Sequence, residues 1–276
     1  MNNLSSRLKG KRVIMICCSL LILFGLAGLL APWISPHDPI RVNLAAKLSP
    51  PSWEYLLGTD QLGRDNLSRL LYGTRISLGF ASLIFAASLG VGLLAGVVSG
   101  YSGGWLDAAL MRLCDGIMSF PSMILVFGLI GILGPGLSQL VIALMLVQWV
   151  YFARMFRNMI VSLKERNFIT AARISGSSPW QIMSRHLIPN ILPSIVVIGT
   201  LEMGWAIMDI SAMSFLGLGV QAPTPEWGAM LNEGKSFIRN HPELMLYPGL
   251  MIIMVVASFN LLGEALSERY GIKRGS

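Results

Sequence analysis

The sequence predicts an all-α, polytopic membrane protein with six transmembrane helices. Composition is the first reason. Of 276 residues, 54% are apolar and 13% charged, with a mean hydropathy of +0.64, whereas an average soluble domain is about a quarter charged. The second reason is a set of long charge-free runs, each able to supply the roughly 20 residues that cross about 30 Å of hydrocarbon. A soluble domain is excluded, and so is a disordered chain, which needs low hydrophobicity and high net charge.

The first run, residues 13–34, follows a basic segment at 1–12 and predicts a retained signal anchor. It is longer than a secretory h-region, and Ala31-Pro32-Trp33 is a poor cleavage site. A proline-rich extracytoplasmic loop is expected over 35–75, stiffened by Pro32, Pro36, Pro39, Pro50 and Pro51. Within it, residues 60–75 can form a short amphipathic outer helix. The second crossing, 76–106, carries Gly79, Gly90, Gly92 and Gly96 at spacings that permit close helix approach, and its last residues from Gly100 read as a turn.

The run from Gly116 to Ala153 is too long for one crossing and is broken by Gly134-Pro135-Gly136, which predicts helices at 111–133 and 138–157. A fifth helix is expected at 191–219 and a sixth at 244–263. With residue 1 inside, the inner segments hold fourteen Lys and Arg and the outer ones seven. By the positive-inside rule both termini are cytoplasmic. The net charge of +7 therefore marks membrane sidedness, and no nucleic-acid partner is implied. On this reading residues 76–266 form a five-helix core with a cytoplasmic loop at about 160–190, and 267–276 form a tail.

That loop reads FITAARISGSSPWQIMSRHLIPN from Phe168. Ala171, Ala172 and Ser175 share one helical face, and Gly176 interrupts the helix. Ser178 can cap a second helix whose first turn takes Pro179. Trp180, Met183 and Leu187 fall on one side of it, and Pro189 is expected to stop it. Such an element can insert into a partner's groove or pack against its own helices.

In the fifth helix, Glu202 and Asp209 lie seven residues apart, two turns along one face. Ionisable groups in a membrane helix normally face a cavity or a partner, so this pair is a candidate for the wall of a translocation pathway or for structural pairing. His37, His186 and His241 are too far apart in the topology to form one metal site, and Cys17, Cys18 and Cys114 form no CxxC motif.

At Thr170-Ala171-Ala172, Gly176 and Ile188-Pro189 the chain resembles the permease subunits of ABC importers, whose coupling loop carries an EAA motif, a glycine and a Leu-Pro-like pair; Thr170 replaces the family's Glu. Residues 57–79, 106–121 and 214–231 extend the resemblance to the dipeptide, oligopeptide and nickel branch. Residues 149–169 and 237–249 look nearest to nickel-uptake permeases.

The resemblance implies a type I importer fold in a bacterial inner membrane. It also implies a homologous sister permease, two ATPase subunits that bind ATP and magnesium, an extracytoplasmic binding protein, and a lipid surround. No cofactor is expected in this chain, which lacks GxxxxGK[ST] and is not an enzyme. Nickel or a chelated metal is the expected cargo, with dipeptides or oligopeptides as the alternative. Trp180 joins the ATPase-coupling residues. Asp60, Gly63, Arg64, Asp65, Pro223, Glu226 and Trp227 are docking or gate candidates, with solvated or architectural roles as the alternative. A channel or secondary carrier working without ATPases is disfavoured by the absence of an internal repeat.

Overall fold

The computed structural model describes residues 2–271, with side chains described from Lys11 onward. The last residues of the expected tail lie outside this range. Ten α-helices are described: α1 (Asn2–Ile34), α2 (Asn66–Ser102), α3 (Gly104–Met118), α4 (Ser122–Leu133), α5 (Leu137–Lys164), α6 (Asn167–Ile174), α7 (Pro179–Ile182), α8 (Ile188–Phe215), α9 (Trp227–Gly234) and α10 (Glu243–Tyr270). Among the described residues there is no strand beyond an isolated bridge between Thr59 and Asp65. Five helical spans are long and apolar enough to cross a membrane, and α3 with α4 make a sixth if that bent pair counts as one.

Several boundaries differ from expectation, each for an identifiable reason. The first helix starts at Asn2, so the separate segment 1–12 is largely helical backbone continuous with the crossing. The second starts at Asn66, because the Asp65 carboxylate accepts the Ser68 N–H at 2.9 Å and its hydroxyl at 2.6 Å and so caps the helix there. The separate outer helix expected at 60–75 is therefore the first turns of α2 preceded by a tight loop.

The turn expected from Gly100 to residue 106 and the link to 111 are largely helical, since α3 begins at Gly104. The helix expected at 111–133 is broken between α3 and α4, whose axes bend by 84°. Pro121 supplies no N–H and disfavours helical backbone at Phe120. The Gly134-Pro135-Gly136 break holds, with φ +86° and +155° at its two glycines.

Pro189 does not stop the loop helix α7. Residues Met183–Leu187 form a π-helical turn that carries α7 directly into α8. The missing N–H of Pro189 falls where the hydrogen-bond ladder changes register. Asn190 Nδ2 donates to the His186 carbonyl there, at 2.6 Å.

Helices α2 and α5 form the most extensive pairing. Gly92, Gly96 and Gly100 recur every four residues along α2 and place bare backbone against α5. A Cβ on Gly96 would stand 2.5 Å from the Ala153 carbonyl oxygen, and one on Gly100 would stand 2.9 Å from the Arg157 oxygen. Gly79 and Gly90, expected to share this role, face open space. Close approach matters because lipid removes the hydrophobic drive for helix association and leaves packing to do it.

The core that follows joins Ala81 and Ile84 of α2, Leu140 and Leu144 of α5, Val126 and Ile130 of α4, Ile207 and Ile210 of α8 and Val255 of α10. Toward the C-terminal end of α5, Arg157 Nη2 pairs with Asp107 Oδ2 at 2.6 Å, and Lys164 Nζ donates to the Tyr101 carbonyl at 2.6 Å, tying α3 and α2 to α5.

Gly96→Val should lower the midpoint of thermal unfolding in detergent, since overpacking a tight contact costs about 1–3 kcal/mol. Gly79→Ala, whose new Cβ meets nothing beyond its own helix within 4 Å, should leave that midpoint unchanged or slightly raised.

Candidate functional site: an acidic cavity between helices

A cavity of about 500 Å³ lies between α8, α5 and the break joining α3 to α4. Helix α8 contributes Glu202, Trp205 and Asp209 from one face, and α5 contributes Val147, Gln148, Tyr151 and Phe152. The break contributes Phe120 and Ser122, flanked by Met118 and Met123. Irregular backbone at membrane depth is tolerated where it lines a cavity, and that is its position here. The sequence pairing of Glu202 with Asp209 is thus realised as two carboxylates on one cavity wall.

Each carboxylate is held by a neutral donor. Gln148 Nε2 donates to Asp209 Oδ2 at 2.9 Å, and the Tyr151 hydroxyl hydrogen-bonds Glu202. The cavity lining contains no Lys, Arg or His. A neutral donor orients a carboxyl group without supplying a counter-charge, so no basic side chain on this wall opposes a cation. Among the described residues no group of three or more His, Cys, Asp and Glu is placed to hold a metal ion. The wall can therefore draw a cation in without enclosing it in a coordination shell.

Sequence reasoning missed Gln148, Tyr151, Trp205 and the break residues. The signal for the first two was available: Gln148 and Tyr151 are three apart, hence on one face of a predicted crossing.

Most of the outer candidates lie inside the fold, as in their architectural alternative, while Pro223 is exposed. Asp60, Arg64, Asp65, Glu226 and Trp227 are all at most 4% exposed. Arg64 Nε meets Asp60 Oδ2 at 2.6 Å, while Arg64 Nη2 and Arg69 Nη2 meet Glu233 Oε2 at 2.5 and 2.8 Å. This network ties the loop before α2 to α9. Gly63 takes φ +73° against Asn43, where a side chain would collide with backbone.

Trp227 is wedged beneath α2 with its indole N–H directed to the Leu70 carbonyl at 3.4 Å. Glu226 caps α9 through the Ala229 N–H at 2.9 Å and accepts from Ser77 Oγ at 3.0 Å. Burial pushes the Glu226 carboxyl above its ordinary range despite these bonds. The Pro223 carbonyl lies 3.5 Å from Arg69 Nη1. Partners such as Arg69, Glu233 and Ser77 could not be foreseen, because no local spacing links positions more than 140 residues apart.

On the loop between α5 and α8 the expected helix-break-helix is present. Gly176 takes φ +83°, and Ser178 and Gln181 form a reciprocal capping box with Pro179 in the first turn. Thr170 and Ala171 are exposed and Ala172 is half-buried. Ile169, Ile182 and Leu187 are buried against Ile160 and Ile191, anchoring the element to the helices. Phe168, Ile174 and Trp180 point outward, at 41%, 83% and 70% exposure. Trp180 and Leu187 do not share a side as expected, because the π-helical turn rotates the register between them. Ile188 is half-buried and Pro189 exposed where α8 begins.

Residues 92–271 match the family model described as binding-protein-dependent transport system inner membrane component. Residues 5–51 match the N-terminal TM domain of oligopeptide transport permease C. The chain is 41% identical over 249 residues to the nickel transport system permease protein NikC of Escherichia coli, covering 90% of each. It is 39% identical to the di/tripeptide transport system permease protein DppC of Pseudomonas aeruginosa, over 90% of this chain and 84% of that one. It is 37% identical to the dipeptide transport system permease protein DppC of Alkalihalophilus pseudofirmus, over 95% of this chain and 86% of that one.

Among solved structures, the MetNI methionine ABC transporter in an inward-facing conformation matches with a TM-score of 0.59 at 20% identity, over 75% of this chain and 97% of the other. The fold is therefore that of a type I ABC importer permease. With an acidic cavity between its helices and 180 residues under the family model, the chain belongs to the binding-protein-dependent transport system inner membrane components, the permease subunits of ABC importers.

Proposed function

We propose that this permease joins a homologous sister permease to form an import pathway for nickel, carried as an ion or in a chelate, and that the acidic cavity is part of that pathway. The observation that carries the reading is the pair Glu202 and Asp209, uncompensated by any basic residue on the cavity wall. The 41% identity to a nickel transport system permease supports the same cargo. Two carboxylates reduce the electrostatic cost of moving a cation through a low-dielectric region.

Import of di- or tripeptides is the second reading. It is favoured by the relatives at 39% and 37% identity, and a peptide's terminal ammonium would use the same wall. Uptake of radiolabelled nickel, with and without chelators, against di- and tripeptide uptake by the complete transporter separates the two.

The loop from Thr170 to Pro189 is the transmitting element in this mechanism. Two cytoplasmic ATPases would bind ATP and magnesium, and their closure would press on Phe168, Ile174 and Trp180. Because Ile169, Ile182 and Leu187 are anchored among the helices, that displacement would pass into α5 and α8. Both termini then lie in the cytoplasm, consistent with the twofold excess of basic residues on that side. An extracytoplasmic binding protein would deliver cargo at the opposite face.

Glu202→Gln keeps the shape and a hydrogen bond to Tyr151 but removes one charge. Uptake at low cargo concentration should fall about tenfold, the size of a 1.4 kcal/mol electrostatic contribution, with normal amounts of assembled transporter. Wild-type uptake in that variant would reassign Glu202 to structural pairing.

Gly176→Val should reduce both ATPase copurification and transport, because a side chain at φ +83° is strained, by about 1–2 kcal/mol for ordinary residues. Gly176→Asn, a residue that tolerates this conformation, should retain most of both. Equal behaviour of the two variants would remove the loop geometry from the coupling mechanism.

A further inference from the structure

Trp205 stands between the two carboxylates of α8, one helical turn from each. Its side chain is 57% exposed and lines the cavity. Phe120, Tyr151 and Phe152 line the same space. The lining therefore combines two anionic groups with several aromatic rings, and an aromatic face is itself attractive to cations within about 6 Å of its centroid.

Size also bears on what this lining recognises. A divalent ion with six waters occupies about 200 Å³ at roughly 30 Å³ per water, less than half of the 500 Å³ available. A bare hydrated ion would leave the rings unused. A cation surrounded by organic groups would meet both carboxylates and ring faces.

We propose that Trp205 is a specificity-determining residue of the pathway, its indole face receiving a cation that carries organic groups, such as an amine or a metal ion inside organic ligands, in preference to a bare hydrated ion. The inference rests on the cavity being part of the pathway. It adds that cargo is discriminated within the permease by the ring between the charges. Gln148 and Tyr151 fix the carboxylates by hydrogen bonds, while no described hydrogen bond holds the Trp205 indole N–H, which leaves the ring to be positioned by packing and cargo.

The test is an uptake series in the complete transporter with one unchanged binding protein, comparing wild type, Trp205→Phe and Trp205→Leu. Radiolabelled nickel is supplied alone and with imidazole, and rates are normalised to assembled permease. Because the binding protein is constant, a change in the ratio of the two rates between variants arises in the permease.

With Leu, uptake of the nickel–imidazole complex should fall about 5- to 30-fold, the range a desolvated cation–π contact represents, while uptake of nickel alone changes little. Phe should fall between. A radiolabelled dipeptide, whose ammonium is an organic cation, replaces the complex if the wild type imports peptides.

An unchanged ratio across the series overturns the proposal, as does an equal loss of both rates in the Leu variant, which would mark a structural role. Glu202→Gln with Asp209→Asn serves as the reference. If that pair leaves uptake intact, the pathway reading itself fails and takes this inference with it. If the pair lowers uptake while the Trp205 ratio stays constant, the inference alone fails.

Discussion

Three glycines spaced four apart, Gly92, Gly96 and Gly100, let the backbone of α2 touch that of α5, and the position of the cavity wall follows from that contact. Phe152 illustrates the dependence. Its Cβ packs on Gly92 while its ring lines the cavity beside Tyr151 and Gln148. A side chain at any of the three glycines would push α5 outward, and with it the groups that hold Glu202 and Asp209. In a medium where apolar surface is not driven together by water, such backbone contact has to supply much of the cohesion.

The two ends of the molecule are fastened differently from its middle. At the outer end Asp60, Arg64, Arg69 and Glu233 form a buried network that would be costly to leave with one partner missing. At the inner end Arg157 and Asp107 pin α3, and the anchored loop from Asn167 to Leu187 continues into α8. Between them lies the cavity, bounded by a broken helix, two neutral donors and two carboxyl groups with no basic residue on the wall.

Much of this was legible because lipid imposes simple rules on sequence. Charge-free runs mark the crossings, Gly134-Pro135-Gly136 marks the turn between α4 and α5, and Gly176 with Ser178 and Pro179 marks the break between α6 and α7, since each acts through local backbone chemistry. The start of α2 was misplaced by ten residues because Arg69 and Arg75 read as loop charges, and Arg69 is buried against a glutamate 164 positions away. The bend at Phe120-Pro121 lies inside a charge-free stretch that hydropathy alone reads as one crossing. Glu226 and Trp227 were expected at a surface because nothing local reveals Ser77 or Leu70 as their partners. The carboxylate pair was legible from helical periodicity, while the aromatic residue between them drew no notice because tryptophans in membrane proteins are common at interfaces.

The account stands most directly on whether the acidic cavity is a water-accessible, cation-attracting space in the working transporter. In a chain whose Cys17, Cys18 and Cys114 are replaced by serine, Trp205→Cys can be modified in membranes with small cationic and anionic thiol reagents, with Leu94→Cys, an exposed position on α2, as the reference. The account predicts faster modification at 205 by the cationic reagent than by the anionic one, protection by cargo, and little modification at 94. Equal rates for both reagents at 205, or modification there no faster than at 94, would contradict it.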